Sequence, residues 1–253
     1  MHRFYLAPDQ FSGDELFLTG REAHHALNVL RLRRGERVTV LNGAGGQFLC
    51  ETQAHDRDKL RLSILEKSEI PQPPCRITLL QAVPKGKLIE SIIQKATELG
   101  VFRVVPLLSE RVITYLDEKG SVNKAEKWQG VAVEAIKQCG AAWLPQVEPP
   151  TTPQEFIARG EKFELPLIAS LQDGSKHPRV HFREFEKTHG RLPSTLSMWV
   201  GPEGDFSPEE YELIQRSGAL PITLGRLVLR AETAATYCLS ILNYELAAGA
   251  DLR

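Results

Sequence analysis

The sequence predicts an α/β protein with a small β-barrel at its N-terminal end, and three observations carry that prediction. Five short strand-like runs fill the first seventy residues. A proline-rich connector, IPQPPC, follows at 70–75. Beyond it, apolar strands alternate with amphipathic helices, the pattern of a largely parallel sheet. The implied division is a barrel over 1–70 and an α/β domain over 76–253.

The barrel runs are HRFYL, ELFLT, ERVTVLN, GQFLCETQ and KLRLSILEK. Gly43, Gly45 and Gly46 fall between the third and fourth, where residues tolerant of positive φ permit a tight hairpin. No helix opens after them, so they read as a turn and not as a phosphate loop. Between the second and third runs lies REAHHALNVLRLRRGE, in which Ala23, Ala26, Leu27 and Leu30 recur at helical spacing. One short helix therefore interrupts the strands. The three prolines of the connector resist both helix and central strand and hold the chain extended.

In the second part RITLLQAV is a strand, GKLIESIIQKATELG a helix, VFRVVPLL a strand, and a helix follows through about Lys137. Leu88, Ile92, Ala96 and Leu99 share one face of the first helix with Ile89 and Ile93, while Glu90, Gln94 and Lys95 project elsewhere, so that helix packs on the sheet. LPLIASL, TLSMWVG and LPITLG supply further strands, and ETAATYCLSILNYELAAG the last helix. Ser207-Pro208-Glu209-Glu210 is a capping box, which starts a helix directly after GPEGDF.

With 42% apolar and 25% charged residues and a net charge of −1, the chain is an ordinary globular protein without a uniformly basic coat. Any nucleic-acid contact must come from a local patch. Cys50, Cys75, Cys139 and Cys238 form no C-x-x-C pair, which disfavours a disulfide framework or zinc site. His24 and His25 are adjacent on a helix, where side chains diverge by about 100° and do not face one ion. No metal is expected. Trp128, Trp143 and Trp199 are too scattered for a base-stacking platform and are assigned to packing. The start MHRFYLAPDQ has no basic stretch leading into an apolar run, and no segment is apolar enough to span a bilayer, so a cytoplasmic address is expected.

Three glycine-bearing turns follow apolar strands: SLQDG at 170–174, VGPEGDF at 200–206 and LGRLVLRAET at 224–233. In open α/β sheets ligands bind beyond the carboxyl ends of the strands, and glycine lets backbone amides approach them closely. A cofactor pocket at these three turns is the expectation. The G-x-x-x-x-G-K-[ST] pattern is absent, since Gln81 and Leu88 occupy its first and last positions around Gly86-Lys87, and no G-x-G-x-x-G opens a helix.

GPEG before a helix and LGRLVLRAETA leading into the final one, with QKATELGV, PLLSER and KQCG in order, resemble the RsmE family. These are SPOUT-class methyltransferases acting on N3 of a uridine in the decoding region of 16S ribosomal RNA. The resemblance covers nearly the whole chain, including HHALNVLRLRRGE. It implies a PUA-like RNA-binding barrel, an α/β domain with a C-terminal trefoil knot, and S-adenosylmethionine as methyl donor. The donor would be held by Leu171, Val200, Gly201, Gly204, Leu224, Gly225 and Leu229. It also implies a homodimer with Tyr237, Ile241 and Tyr244 at the interface, and the small ribosomal subunit or its RNA as partner. The chain departs from the family pattern at Ala141 and Ala142, where an arginine is common, and at Asp205, where glycine is frequent. Asp205 is read as favouring the dipole of the helix that follows.

Methylating uracil N3 requires removal of its proton and stabilisation of the anion left behind. Arg230 is the expected cation, with Glu232 or Glu203 as orienting or proton-accepting carboxylate, although Glu232 could equally cap the last helix. Arg31, Arg33, Arg34 and Arg37 place four arginines within seven positions and form the expected RNA footprint, extended by Lys85, Lys95, Arg111 and Lys137. A knotted enzyme acting on a ribose 2′-hydroxyl and a non-catalytic RNA-binding assembly factor are the alternative readings.

Overall fold

Alternating apolar and polar residues lay down the first sheet. In the computed structural model of the chain, which describes residues 1–11, 13, 15–56, 58–111, 118–172 and 174–247, all five early runs are strands: β1 (Arg3–Tyr5), β2 (Glu15–Thr19), β3 (Arg37–Leu41), β4 (Gly46–Asp56) and β5 (Lys59–Glu69). Their order is β1-β3-β4-β5-β2, antiparallel throughout except for the parallel β1/β3 pair. The strand-rich unit expected as a small barrel is one five-stranded sheet with β1 and β2 at its edges, and no ladder joins them among the described residues. Two register shifts, at Leu49/Cys50 and Thr52/His55, interrupt the long β4/β5 ladder.

The core of this sheet is covered by a helix. α1 (Gly20–His24) continues into a wider turn over His25–Val29, marked by the Leu30 N–H donating to the His25 carbonyl five residues back. Ala23 and Ala26 are buried there with Phe4, Leu16, Leu18, Val38, Val40, Leu60 and Leu62. The small alanines let the helix backbone approach the sheet, and the larger strand residues fill the remaining space.

Asn42 closes the β3–β4 hairpin, its Oδ1 accepting from the N–H groups of Ala44 and Gly46, each at 2.8 Å. Gly45 has φ +97°, and a Cβ there would meet the Trp143 ring at 2.7 Å. Trp143 donates from Nε1 to the Ile70 carbonyl at 3.0 Å. The segment Val133–Leu144 thus belongs to the same compact unit as Met1–Gln72. Ala142 is buried in this arrangement and lends its carbonyl to the Gly45 N–H.

The second unit, Pro73–Ala132 with Pro145–Arg253, is built on six parallel strands. These are β6 (Arg76–Ala82), β7 (Arg103–Leu107), β8 (Gln146–Val147), β9 (Leu165–Ala169), β10 (Thr195–Val200) and β11 (Leu220–Ile222), in the order β11-β9-β10-β6-β7-β8. The central runs are apolar at successive positions because both faces are covered. On one face Leu80, Val105, Ile168 and Trp199 pack against α4 (Pro153–Ala158) and α6 (Pro208–Arg216) through Phe156, Tyr211 and Ile214. The alternate residues Leu79, Val104, Leu167 and Met198 point the other way and are equally buried.

Three more helices complete the unit, α2 (Leu88–Glu98), α5 (Pro178–His189) and α7 (Ala231–Ala247), while α3 (Glu118–Cys139) begins in it and ends in the Val133–Leu144 segment of the first. α7 packs on α2 and α5 and lies against β10. α2 buries Ile89, Ile92, Ile93, Ala96 and Thr97, whereas Leu88, as its first residue, is exposed. No described helix is long and apolar enough to cross a membrane.

Candidate cofactor and active site

The sheet order sets the site. β10 lies between β9 and β6, β11 lies beyond β9, and the turns leaving these three neighbours emerge at one end of the sheet. They form a cleft that is partly open to solvent. Ala169, Ser170 and Leu171 line it after β9; Val200, Gly201, Pro202, Glu203 and Asp205 after β10; Leu224, Gly225 and the 227–229 turn after β11; and Ala231 and Ala234 from the start of α7.

Local chemistry fixes each turn. Ser170 donates its N–H to the Ile222 carbonyl at 3.0 Å, while its Oγ lies 2.9 Å from the Tyr211 hydroxyl on α6. Gly225 has φ +107° and open space where a Cβ would stand, so the backbone conformation and not crowding selects glycine. At Gly201 the reverse holds: a Cβ would meet Asp205 Oδ1 at 2.9 Å and the Phe206 nitrogen at 3.2 Å. The turn after β10 is therefore wound tightly enough to exclude a side chain at 201.

Asp205 adopts φ +62°, a left-handed conformation uncommon outside glycine, asparagine and aspartate. Its Oδ1 accepts from the Phe206 N–H at 2.8 Å. Burial raises the carboxyl pKa above the ordinary value, opposed by the Phe206 N–H, the positive charge of Arg111 and the nearby Leu171 N–H. The expected dipole role gives way to a different one. Ser207 is the N-cap of α6, and Asp205 folds back toward the cleft.

Six of the seven cofactor residues expected from the sequence, Leu171, Val200, Gly201, Leu224, Gly225 and Leu229, line this one cleft. Gly204 does not; its carbonyl accepts a hydrogen bond from the Arg111 guanidinium. Glu203 is exposed on the rim, with Oε1 3.4 Å from the Lys85 backbone N–H. Arg230 is exposed directly before α7, its carbonyl accepting from the Ala234 N–H at 2.8 Å. Glu232 stands in the first turn, and its carboxylate caps no backbone N–H among the described residues.

Residues that sequence reasoning passed over are the apolar rim, Leu227 and Val228, both about three-quarters exposed at 77% and 75%, and Asp205 as a wall of the cleft. Exposed leucine and valine beside a pocket are a signal that only accessibility reveals.

In the first unit Arg31, Arg33, Arg34 and Arg37 are all exposed, and none forms an ion pair among the described residues. Arg31 has φ 55°, the left-handed step that ends its helix. Lys85 and Lys95 are exposed in the second unit. One of the expected RNA contacts is corrected. Lys137 is buried, its ammonium 2.7 Å from Glu22 and 3.2 Å from Glu134, so its charge is neutralised inside the protein. Arg111 is exposed, with its guanidinium donating to the Gly204 carbonyl.

A six-stranded parallel sheet with a small-molecule cleft at its strand ends and a separate strand-rich unit is matched by two family descriptions. Residues 71–243 match an RNA methyltransferase domain, and residues 18–65 an RNA methyltransferase PUA domain. The class is RNA methyltransferase. The Ribosomal RNA small subunit methyltransferase E of Synechocystis is 34% identical over 96% of this chain and 77% of its own. A Legionella pneumophila methyltransferase solved with bound SAM superposes with TM-score 0.84 at 32% identity, covering 97% of this chain and 96% of that one. The Neisseria gonorrhoeae Ribosomal RNA small subunit methyltransferase E, solved with S-adenosyl methionine, gives TM-score 0.84 at 27% identity, covering 96% and 97%. This chain belongs to the ribosomal RNA small subunit methyltransferase E family.

Proposed function

We propose that this protein is a cytoplasmic, homodimeric enzyme that uses S-adenosylmethionine to methylate N3 of a uridine in 16S ribosomal RNA, with 1–70 as the RNA-binding domain and 76–253 as the methyltransferase domain. The observation that carries the reading is the convergence of the three strand-end turns on one cleft. Its largely apolar lining and its place beyond the carboxyl ends of parallel strands fit a small-molecule cofactor. The same lining supports Leu171, Val200, Gly201, Leu224, Gly225 and Leu229 as cofactor contacts.

When bound, S-adenosylmethionine supplies an electrophilic methyl group on a sulfonium. The chain's own work is to position and to manage one proton. N3 must lose its proton as the new N–C bond forms and the C–S bond breaks. Arg230, exposed at the head of α7 beside the lining residues Leu229 and Ala231, favours the anionic base. Glu203 on the rim or Glu232 in the first turn of α7 accepts the proton. Arg31, Arg33, Arg34 and Arg37 contact phosphates from the first unit, and Lys85 and Lys95 from the second.

The trefoil knot is supported by strand order. The chain places β10 between β9 and β6, then makes β11 beyond β9, then returns as α7 against β10 and α2. That path takes the last segment back past the turns after β9 and β10. The homodimer is supported by Tyr237 and Tyr244, exposed on α7 opposite its buried Ala235, Cys238, Leu239 and Leu242.

Nucleoside analysis of small-subunit RNA from cells lacking the protein tests the reading. Loss of one N3-methyluridine is the expected result. Loss of a ribose-methylated nucleoside instead, or an unchanged profile, overturns it.

A further inference from the structure

We propose that Asp205 and Arg111 form a charged bracket that positions the Gly201–Gly204 turn as a wall of the cofactor cleft, an inference that rests on the cofactor reading above. Arg111, on the loop after β7, donates to the Gly204 carbonyl and sets its positive charge beside Asp205. Asp205 in turn accepts from Phe206 at 2.8 Å and occupies the space over Gly201 that a Cβ would need. The N–H of Leu171, from the turn after β9, lies close enough to favour the charged carboxylate. One carboxylate thus braces the turn after β10 at Gly201 and Phe206, and Arg111 holds the Gly204 carbonyl of the same turn.

The charge on Asp205 is costly in the free protein. Burial raises its pKa, so the group stabilises the fold most at low pH, and that contribution is lost as pH rises through the raised folded value. A half-buried carboxylate held at a cost to stability marks a positional duty. The charged groups facing it are few. Arg111 comes from the loop after β7 and Glu203 from its own turn, while the turns after β9 and β11 contribute uncharged lining among the described residues.

Asp205→Asn is the clean test, because asparagine tolerates φ +62° and keeps the shape while removing the charge. Calorimetric titration with S-adenosylmethionine between pH 5 and 8, thermal melting, and hydrogen exchange of the Leu171 segment in the free protein are the readouts. The variant is expected to melt no lower than the natural protein at neutral pH. It is also expected to bind the cofactor about 3- to 10-fold more weakly, the scale of a charge-assisted hydrogen bond made neutral, and to exchange faster around Leu171. The natural protein's affinity should fall toward acid pH, and the variant's should not. Equal affinity with an equal pH profile overturns the bracket and leaves the cofactor reading standing. Failure of the natural protein to bind at any pH overturns both.

Discussion

The hydroxyl of Ser109 donates to Oε2 of Glu210 at 2.7 Å, with both residues buried. That bond ties the loop after β7 to the first turn of α6. Glu210 also accepts from the Glu110 N–H and the Ser207 N–H, each at 3.0 Å, so one carboxylate completes a capping box and anchors the segment that carries Arg111. Glu210→Gln puts an amide NH₂ where an acceptor faces three donors. The expected cost is about 2–4 kcal/mol in urea denaturation, with weaker S-adenosylmethionine binding because Arg111 loses its anchor. A change below about 0.5 kcal/mol, the range of ordinary surface substitutions, contradicts this account.

Arg230 separates binding from chemistry. Arg230 is exposed beside the apolar lining residues Leu229 and Ala231, and the proposed function has it act on the RNA base and not on the cofactor. Arg230→Ala is expected to leave cofactor affinity within about twofold and to lower single-turnover methyl transfer by roughly 100-fold or more, the scale of losing one electrostatic stabiliser. Retained turnover removes Arg230 from the mechanism. Loss of cofactor affinity makes it a binding residue instead.

The two kinds of basic residue should behave oppositely. Arg31→Ala with Arg34→Ala removes two exposed charges and should lessen the slope of log affinity for RNA against log salt by roughly 1.4–1.8, at about 0.7–0.9 per phosphate contact. Lys137→Ala should leave that slope unchanged. It should instead destabilise the first unit by about 3 kcal/mol, because Glu22, with only 16% of its side chain exposed, loses its cation. A slope change in the lysine variant without loss of stability would return Lys137 to the RNA surface.

Much of this architecture was legible in the residues. All five early strands and the Ser207 capping box follow from local pattern, since alternation and caps are decided within a few residues. The open edges of the first sheet were not legible, because β1 is three residues long and whether it meets β2 is a matter of curvature. α4 was available and passed over: Thr152-Pro153-Gln154-Glu155 is the same type of capping box, on a helix too short to show a period. At the site, glycines marked the turns, but the left-handed Asp205 was invisible because φ is not written in a residue name. Lys137 failed for the opposite reason: its partners, Glu22 and Glu134, include one 115 positions away.

Acid should act on the second unit through Glu164, just before β9. Its carboxylate takes both arms of Arg191, at 2.6 and 2.9 Å, and the Ser194 N–H at 2.7 Å, joining the entry to β9 with the entry to β10. The Arg191 hydrogen bonds first, and then the Ser194 N–H, lower its pKa from 4.5 to about 2. A depressed carboxylate stabilises the fold above its unfolded pKa, and that contribution is lost as pH falls toward the folded value. Glu164 is 31% exposed at its side chain, so solvent screening limits the effect to about 0.5–1 kcal/mol. Glu164→Gln should therefore be less stable than the natural protein by that amount at pH 7 in denaturant titration. The gap should narrow between pH 4.5 and about 2, as the natural carboxylate takes up its proton. A gap that stays constant across that interval would mean that packing, and not charge, links the two strand entries.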